Sequence, residues 1–391
     1  MNVPVGIAAF VIALIALKVP SRRSTTRPDV LGVILLTITT TCLIFFADFG
    51  DDSDHGWSAL STWAWCAGMV VAATLFVLTE SRAEDPIIPL RLFRNRVFVN
   101  ATAIGFMLGL GMFAAISFLP TFLQMVSQTS AAESGLLMLP MMGGMMLMTL
   151  LSGNLITRTG KYRAYPIIGM AVTGVVMATM TTLTGDTPLW LIMVYLFGLG
   201  CGLGLVMQVV VLVVQNAVPA TEVGIGTSTN NYFREVGAAL GVAVFGSIFT
   251  TRLSENLTAV FTGAGQDAAT AAQSVANLDP TTLDQYSTEL QQGVMNGYAD
   301  ALAPVFGYLV PFIAVAFVLA LFLKQIPLGS EAGLVARGEA VTGAEADELE
   351  AGNRTGSATH HTGSEDDPDG RSPNPPQGEA SKVTGPDADR G

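Results

Sequence analysis

Long apolar runs recur along this chain from Val3 to Leu323, separated by short gaps that hold nearly all of its basic residues. A bilayer core of about 30 Å takes roughly 20 apolar residues per helix. Runs of that order lie near 3–19, 30–49, 60–79, 97–119, 134–156, 164–184, 188–215, 227–251 and 301–324. The pattern predicts an all-α, polytopic membrane protein.

The basic residues fall almost only in every second gap. Lys18, Arg22, Arg23 and Arg27 fill the first; Arg82, Arg91, Arg94 and Arg96 the third; Arg158, Lys161 and Arg163 the fifth. The other gaps hold acids or nothing, with Arg252 the lone basic exception. Basic residues are retained on the cytoplasmic side during insertion. The alternation therefore predicts a cytoplasmic C-terminus, with Asp48, Asp51, Asp52, Asp54 and the polar segment 252–300 outside. An odd number of spans then puts Met1 on the outer face. The first run lacks the basic start of a signal peptide, so the parity points to an odd number of spans missing upstream.

Half the residues are hydrophobic and 13% are charged, with a mean hydropathy of +0.51, outside the range of soluble domains. The net charge of −12 comes largely from the C-terminal segment 329–391, where Glu331, Glu345, Asp347, Glu348, Glu350, Glu365, Asp366, Asp367 and Asp369 cluster. That segment has too few large apolar residues for a core and is expected to be a disordered cytoplasmic tail. No basic patch with aromatic residues exists to suit nucleic acid. Cys42, Cys66 and Cys201 lie within apolar runs without metal-ligand spacing and read as buried thiols. His360 and His361 stand in the tail, where solvation is the simpler reading than metal binding.

Four stretches carry a family resemblance. Asn2-Val3-Pro4-Val5-Gly6 resembles the start of the sixth span of the fourteen-span drug:proton antiporters of the major facilitator superfamily. Pro86-Ile87-Ile88-Pro89-Leu90-Arg91-Leu92-Phe93-Arg94-Asn95 resembles the cytoplasmic linker before that family's C-terminal half. Leu119-Pro120-Thr121-Phe122-Leu123-Gln124, with Ser134-Gly135-Leu136 and Leu139-Pro140, resembles the next outer loop. Asn231-Tyr232-Phe233-Arg234-Glu235-Val236-Gly237-Ala238-Ala239-Leu240-Gly241 resembles the thirteenth span. The resemblance implies an orphan sixth span at 1–19, two central spans and a linker at 20–96, and a six-helix half at 97–328. Five upstream spans would be absent, the odd number that parity asks for. It also implies proton-driven efflux of a drug-like or amphipathic molecule across the plasma membrane, with no cofactor. Gly153, Arg158, Gly160, Lys161 and Arg163 resemble a worn copy of the family's gating-loop motif, with Thr157 where the family has an acid.

An ionisable group inside a bilayer costs several kcal/mol unless paired or hydrated, which makes each one a functional candidate. Arg234 and Glu235 are foremost. Being adjacent, they point about 100° apart and cannot form an i,i+4 pair with each other. Two readings stand: one of them faces a cavity in proton coupling, with Glu235 the better titrating group, or both lie near the cytoplasmic mouth with Arg234 snorkelling to phosphates. Asp48 and Glu133 fall at outer ends, Asp29 reads as a helix cap, and Glu222 is expected to be solvated in an inner loop.

Gln208, Asn230, Asn231 and Gln124, with Asn100, offer neutral polar contacts to a substrate, or helix–helix hydrogen bonds. Gln208 suits a midplane site best. Methionines 138, 141, 142, 145, 146 and 148 form a polarizable wall, with Met142 a candidate substrate contact, although core or lipid-facing roles fit them equally. Gly198, Gly200, Gly202 and Gly204, and Gly237 and Gly241, have the spacing of close helix contacts. No catalytic triad, nucleotide-binding loop or metal cluster is visible, so an enzyme or a nucleotide-driven pump is not expected. The expected partners are the bilayer, protons and a lipophilic substrate. The alternative is a transport-inactive membrane fragment that assembles with another transporter half; oligomeric state leaves no mark in the sequence.

Overall fold

The computed structural model describes residues 6–7, 10–12, 29–51, 59–83, 86–126, 130–267, 270–271, 275 and 286–325. Its described residues are helical, without strands. The helices are α1 (Val30–Asp51), α2 (Leu60–Glu80), α3 (Arg96–Leu108), α4 (Ala114–Val126), α5 (Ala131–Leu137), α6 (Leu139–Thr159), α7 (Ala164–Met180), α8 (Leu189–Ala217), α9 (Val223–Gly263) and α10 (Thr288–Leu321). Seven stretches are long and apolar enough to cross a membrane, with α7 a shorter apolar helix beside them. Thus eight of the nine expected runs are helices. The first run, the tail and His55 fall largely or wholly outside the described residues.

Local chemistry sets the boundaries. The Asn95 side chain accepts from the Val97 N–H at 2.9 Å and caps α3, as Asn does best at an N-cap. Ser130 and Glu133 form a capping box on α5, so Glu133 serves the start of that helix. Gly160 ends α6 at φ +66°, a left-handed geometry that suits glycine. Between α3 and α4 the helix widens into one π turn, Gly109–Phe113.

Two expected loops are helix instead. The stretch 119–124 lies inside α4, with Pro120 in the helix interior; Leu119, Phe122 and Leu123 are fully buried, and that burial carries the helix past the proline. The segment 252–300, read as an outer loop, is helical to Gly263 and again from Thr288. Its buried residues explain why: Leu257 and Phe261 on α9, and Val294 and Tyr298 on α10, repeat at i,i+4 and face one another's helices. The Asn256 amide donates to the Gly297 carbonyl at 3.2 Å across this extension.

The main core gathers residues from Leu92 to Leu323. Within it, α8 packs on α6 and α7, and α9 packs on α3, the π turn and α10. The alternate glycines of α8 point to opposite sides, because residues two apart on a helix stand 200° apart. A Cβ on Gly200 or Gly204 would strike the Met141 or Met145 carbonyl of α6; one on Gly198 or Gly202 would strike Val176 or Thr173 of α7. Gly237 and Gly241 of α9 likewise meet the Phe106 and Leu110 carbonyls, and Gly109 meets the Arg234 carbonyl. These strips are contact surfaces where backbones touch. The α1–α2 hairpin lies outside this core and joins it through α9, with Thr40 and Tyr232 hydroxyls 3.2 Å apart.

Candidate functional site

Polar contacts collect the third and fifth gaps, with the ends of α8 and α10, at one end of the bundle. Asn95 donates to the Ala217 carbonyl at 2.6 Å, and Arg91 pairs with Glu222 at 2.5 Å. Glu222, expected in solvent, has a side chain only 13% exposed because that pairing folds it against the linker. The Tyr162 hydroxyl donates to the Lys324 carbonyl at 3.0 Å, Arg163 to the Leu321 carbonyl at 2.6 Å, and Gln325 to the Gly160 carbonyl at 2.8 Å. Of the gating-loop residues, Gly160 and Arg163 thus clamp the end of α10, while Arg158 and Lys161 are exposed and Gly153 sits half-buried within α6. A cation at a helix C-terminus also complements the partial negative charge there.

From this end, α9 carries its polar residues into the bundle. Asn230 is 1% exposed and abuts Gly105 of α3. Tyr232 reaches α1, and Phe233 meets Phe93 edge-on at 5.9 Å. Arg234 and Glu235 do meet: the guanidinium bends sideways and donates to the carboxylate at 2.9 Å, with the arginine side chain 17% and the glutamate 60% exposed. Length and flexibility of the arginine side chain overcome the 100° separation of neighbouring positions. The Asn230 and Asn231 carbonyl oxygens, the Thr227 and Thr229 hydroxyls and Arg234 Nε are buried without a hydrogen-bond partner among the described residues; so is the Thr102 hydroxyl across the seam on α3. Leaving such a group unpaired costs about 1–3 kcal/mol, which marks this seam as the polar centre of the bundle.

Depth separates the other candidates. Helix α8 ends where α9 begins, and each residue advances 1.5 Å. Gln208 then stands about 14 Å, and Glu235 about 18 Å, from that shared end, close to the middle of a core of about 30 Å. Gln208 is exposed on an otherwise mostly buried half of α8. Met142 lies about 26 Å from the same end and Gln124, half-buried on α4, about 40 Å. These two belong to the far side and share no hydrogen bond with the α9 group. Asn100 donates to the Leu319 carbonyl at 3.0 Å, a helix–helix tie. Among the described residues no group of three His, Cys, Asp or Glu side chains could hold a metal.

Sequence reasoning passed over Glu80, the last residue of α2, which is 3% exposed. Its only signal is an acid directly abutting an apolar run.

Residues 1–242 match the family model described as Major Facilitator Superfamily. The chain belongs to that superfamily. An uncharacterised transporter of this superfamily type from Mycobacterium tuberculosis is 35% identical over 328 residues, which are 84% of this chain and 47% of that protein. The multidrug transporter protein MdtP of Bacillus subtilis is 30% identical over 352 residues, covering 85% of this chain and 65% of that one. The tetracenomycin C resistance and export protein of Streptomyces glaucescens is 31% identical over 256 residues, 65% of this chain and 47% of that protein. The chain spans about half the length of the first of these relatives. It is a member with seven helices, among the described residues, long and apolar enough to cross a membrane, and it has relatives named for multidrug transport and for antibiotic resistance and export.

Proposed function

We propose that this chain supplies the C-terminal six-helix half, 97–328, of a fourteen-span, proton-coupled exporter of drug-like or amphipathic molecules in the plasma membrane. The observation that carries the reading is the Arg234–Glu235 pair, about midway along the membrane-crossing part of α9 in a chain of this superfamily. A buried guanidinium tied to one accessible carboxylate can respond to a proton: neutralising Glu235 releases Arg234 to another acceptor. Gln208 at similar depth, with Asn230 and Asn231, offers polar contacts to a substrate, and Met142 an apolar contact nearer the far side. Alternating access takes two halves around a midplane site, and the end where Arg91, Arg163 and Lys324 gather faces the cytoplasm by the positive-inside rule.

Right-side-out vesicles carrying the complete transporter, loaded with a lipophilic fluorescent cation under an imposed pH gradient, test the coupling. Glu235→Gln should abolish uphill efflux and leave dye binding largely intact; unchanged gradient-driven efflux removes Glu235 from the mechanism. A second reading is a transport-inactive partner that assembles with a separate half. It requires that this chain alone give no efflux and co-purify with a separately expressed half.

A further inference from the structure

Helix α1 begins, and α2 ends, at the same end of their hairpin, and each contributes a carboxyl group there. Asp29 is the N-cap of α1, with one oxygen, Oδ1, accepting the Gly32 N–H at 2.8 Å. Gly32 leaves room for this: a Cβ there would collide with the Asp29 carboxylate and sit 3.1 Å from Ile87 Cδ1. Glu80 closes α2, with Oε1 accepting the Ile88 N–H of the linker and the Ile87 N–H also within reach. The Asp29 carboxyl neighbours that of Glu80 at the same 87–88 stretch of the linker. Their second oxygens, Asp29 Oδ2 and Glu80 Oε2, are both buried and have no donor among the described residues.

Two neighbouring carboxyl groups, each with a second oxygen that no described donor reaches, are satisfied together by one proton. We infer that Asp29 and Glu80 form a proton-binding site that latches the α1–α2 hairpin to the 86–88 linker. The helix ends decide which group carries the proton. Asp29 stands at the positive end of α1, where a carboxylate is favoured, and Glu80 at the negative end of α2, where it is disfavoured. Glu80 therefore donates from Oε2 to Asp29 Oδ2, and all four oxygens are engaged: Gly32 N–H to Oδ1, Glu80 O–H to Oδ2, Ile88 N–H to Oε1, with Oε2 as the donor. Two like charges in this space would repel, as in any carboxyl pair that shares a site.

Among the described residues no cation offsets the pair. Arg82, two residues beyond Glu80, is exposed; on α9, the other helix packed on α1, Arg234 is bound to Glu235 and Tyr232 to Thr40. From the linker the Ile87 and Ile88 N–H groups reach Glu80, and Arg91 further along it is paired with Glu222. The latch is independent of Glu235 and does not rest on the transport reading.

Infrared spectroscopy of the 391-residue chain in nanodiscs tests it, titrating the C=O stretch of protonated carboxyl groups in H2O and D2O. The wild type should show a deuterium-sensitive band at neutral pH that vanishes as pH rises, and Glu80→Gln should lack it. The proton-bound latch holds at lower pH and is lost as the pair deprotonates, so the wild-type melting temperature should fall through that alkaline window. In Glu80→Gln, whose amide donates without titrating, the melting temperature should lose that fall. Asp29→Asn serves if Glu80→Gln does not fold: changing the acceptor should move the band's titration. A neutral-pH wild type without the band, a band unchanged in Glu80→Gln, an unmoved titration in Asp29→Asn, or stabilisation by sodium chloride but not choline chloride would each overturn the proton latch.

Discussion

Gly143 and Gly144 are neighbours in the interior of α6, and replacing each with alanine should move stability in opposite directions. A Cβ on Gly143 meets nothing within 4 Å, whereas one on Gly144 would lie 2.5 Å from the Phe197 carbonyl oxygen, 3.1 Å from the Cys201 nitrogen and 3.2 Å from its sulfur. Both replacements gain the same helix propensity, about 0.8–1 kcal/mol for alanine over glycine. Only Gly144→Ala carries an overpacking cost, typically about 1–3 kcal/mol, because two of its three obstacles are backbone atoms of α8 that cannot rotate aside. Gly143→Ala should therefore stabilise by up to about 1 kcal/mol, while Gly144→Ala is neutral to destabilising by about 2 kcal/mol. The difference isolates the packing cost, since the propensity gain cancels, and corresponds to roughly 5–150-fold in the unfolding constant.

Equilibrium unfolding of the two variants in mixed micelles of increasing SDS content gives that difference directly. Equal shifts in the same direction would refute the interlock of α6 and α8. The reciprocal contacts make the test strict: Gly200 and Gly204 of α8 press against the α6 carbonyls of Met141 and Met145, which bracket Gly144. A seam so built cannot admit a methyl group at one point without separating along its length.

Two further outcomes follow from named contacts. Leu257→Ala removes a side chain 1% exposed in the extension of α9 and should cost about 2–5 kcal/mol; thermal unfolding that leaves it unchanged would return 252–263 to the loop expected from its polarity. Arg163→Ala should raise hydrogen exchange at residues 319–325 by removing the bond to the Leu321 carbonyl, a loss of about 0.5–1.5 kcal/mol, while Lys161→Ala, exposed one turn away, should leave exchange there unaltered.

How far the sequence could be read depends on which property a residue was asked to reveal. The positions of eight apolar helices were legible because hydrocarbon demands length and apolarity together. Glycine spacing was legible as packing because only backbone contact needs an absent Cβ. The extension of α9 and α10 was not, since its Thr, Gln, Asn and acid content hides the i,i+4 repeat of Leu253, Leu257 and Phe261 on one helix and Leu290, Val294 and Tyr298 on the other. Glu222 and Arg91 were each visible as charges, but their pairing joins residues on opposite flanks of four intervening helical passes. Glu80 looked like an ordinary boundary acid, because what buries it is a loop that returns over the helix end.

Depth and facing carry unequal information about the transport site. Once the gaps are known to share one end, helix rise alone places Gln208 and Glu235 near mid-membrane and sends Met142 and Gln124 toward the far side. Facing cannot be had that way, because it depends on which neighbour each helix meets. On α9 it resolves by contact: Asn230 and the Arg234 backbone turn to α3, Tyr232 to α1, and Phe233 to Phe93 of the linker. Glu235 is the position left over, exposed and holding Arg234 from outside the seam. The carboxylate proposed to exchange a proton is thus the one that these contacts leave exposed, while they hold the backbone of its partner Arg234 against α3.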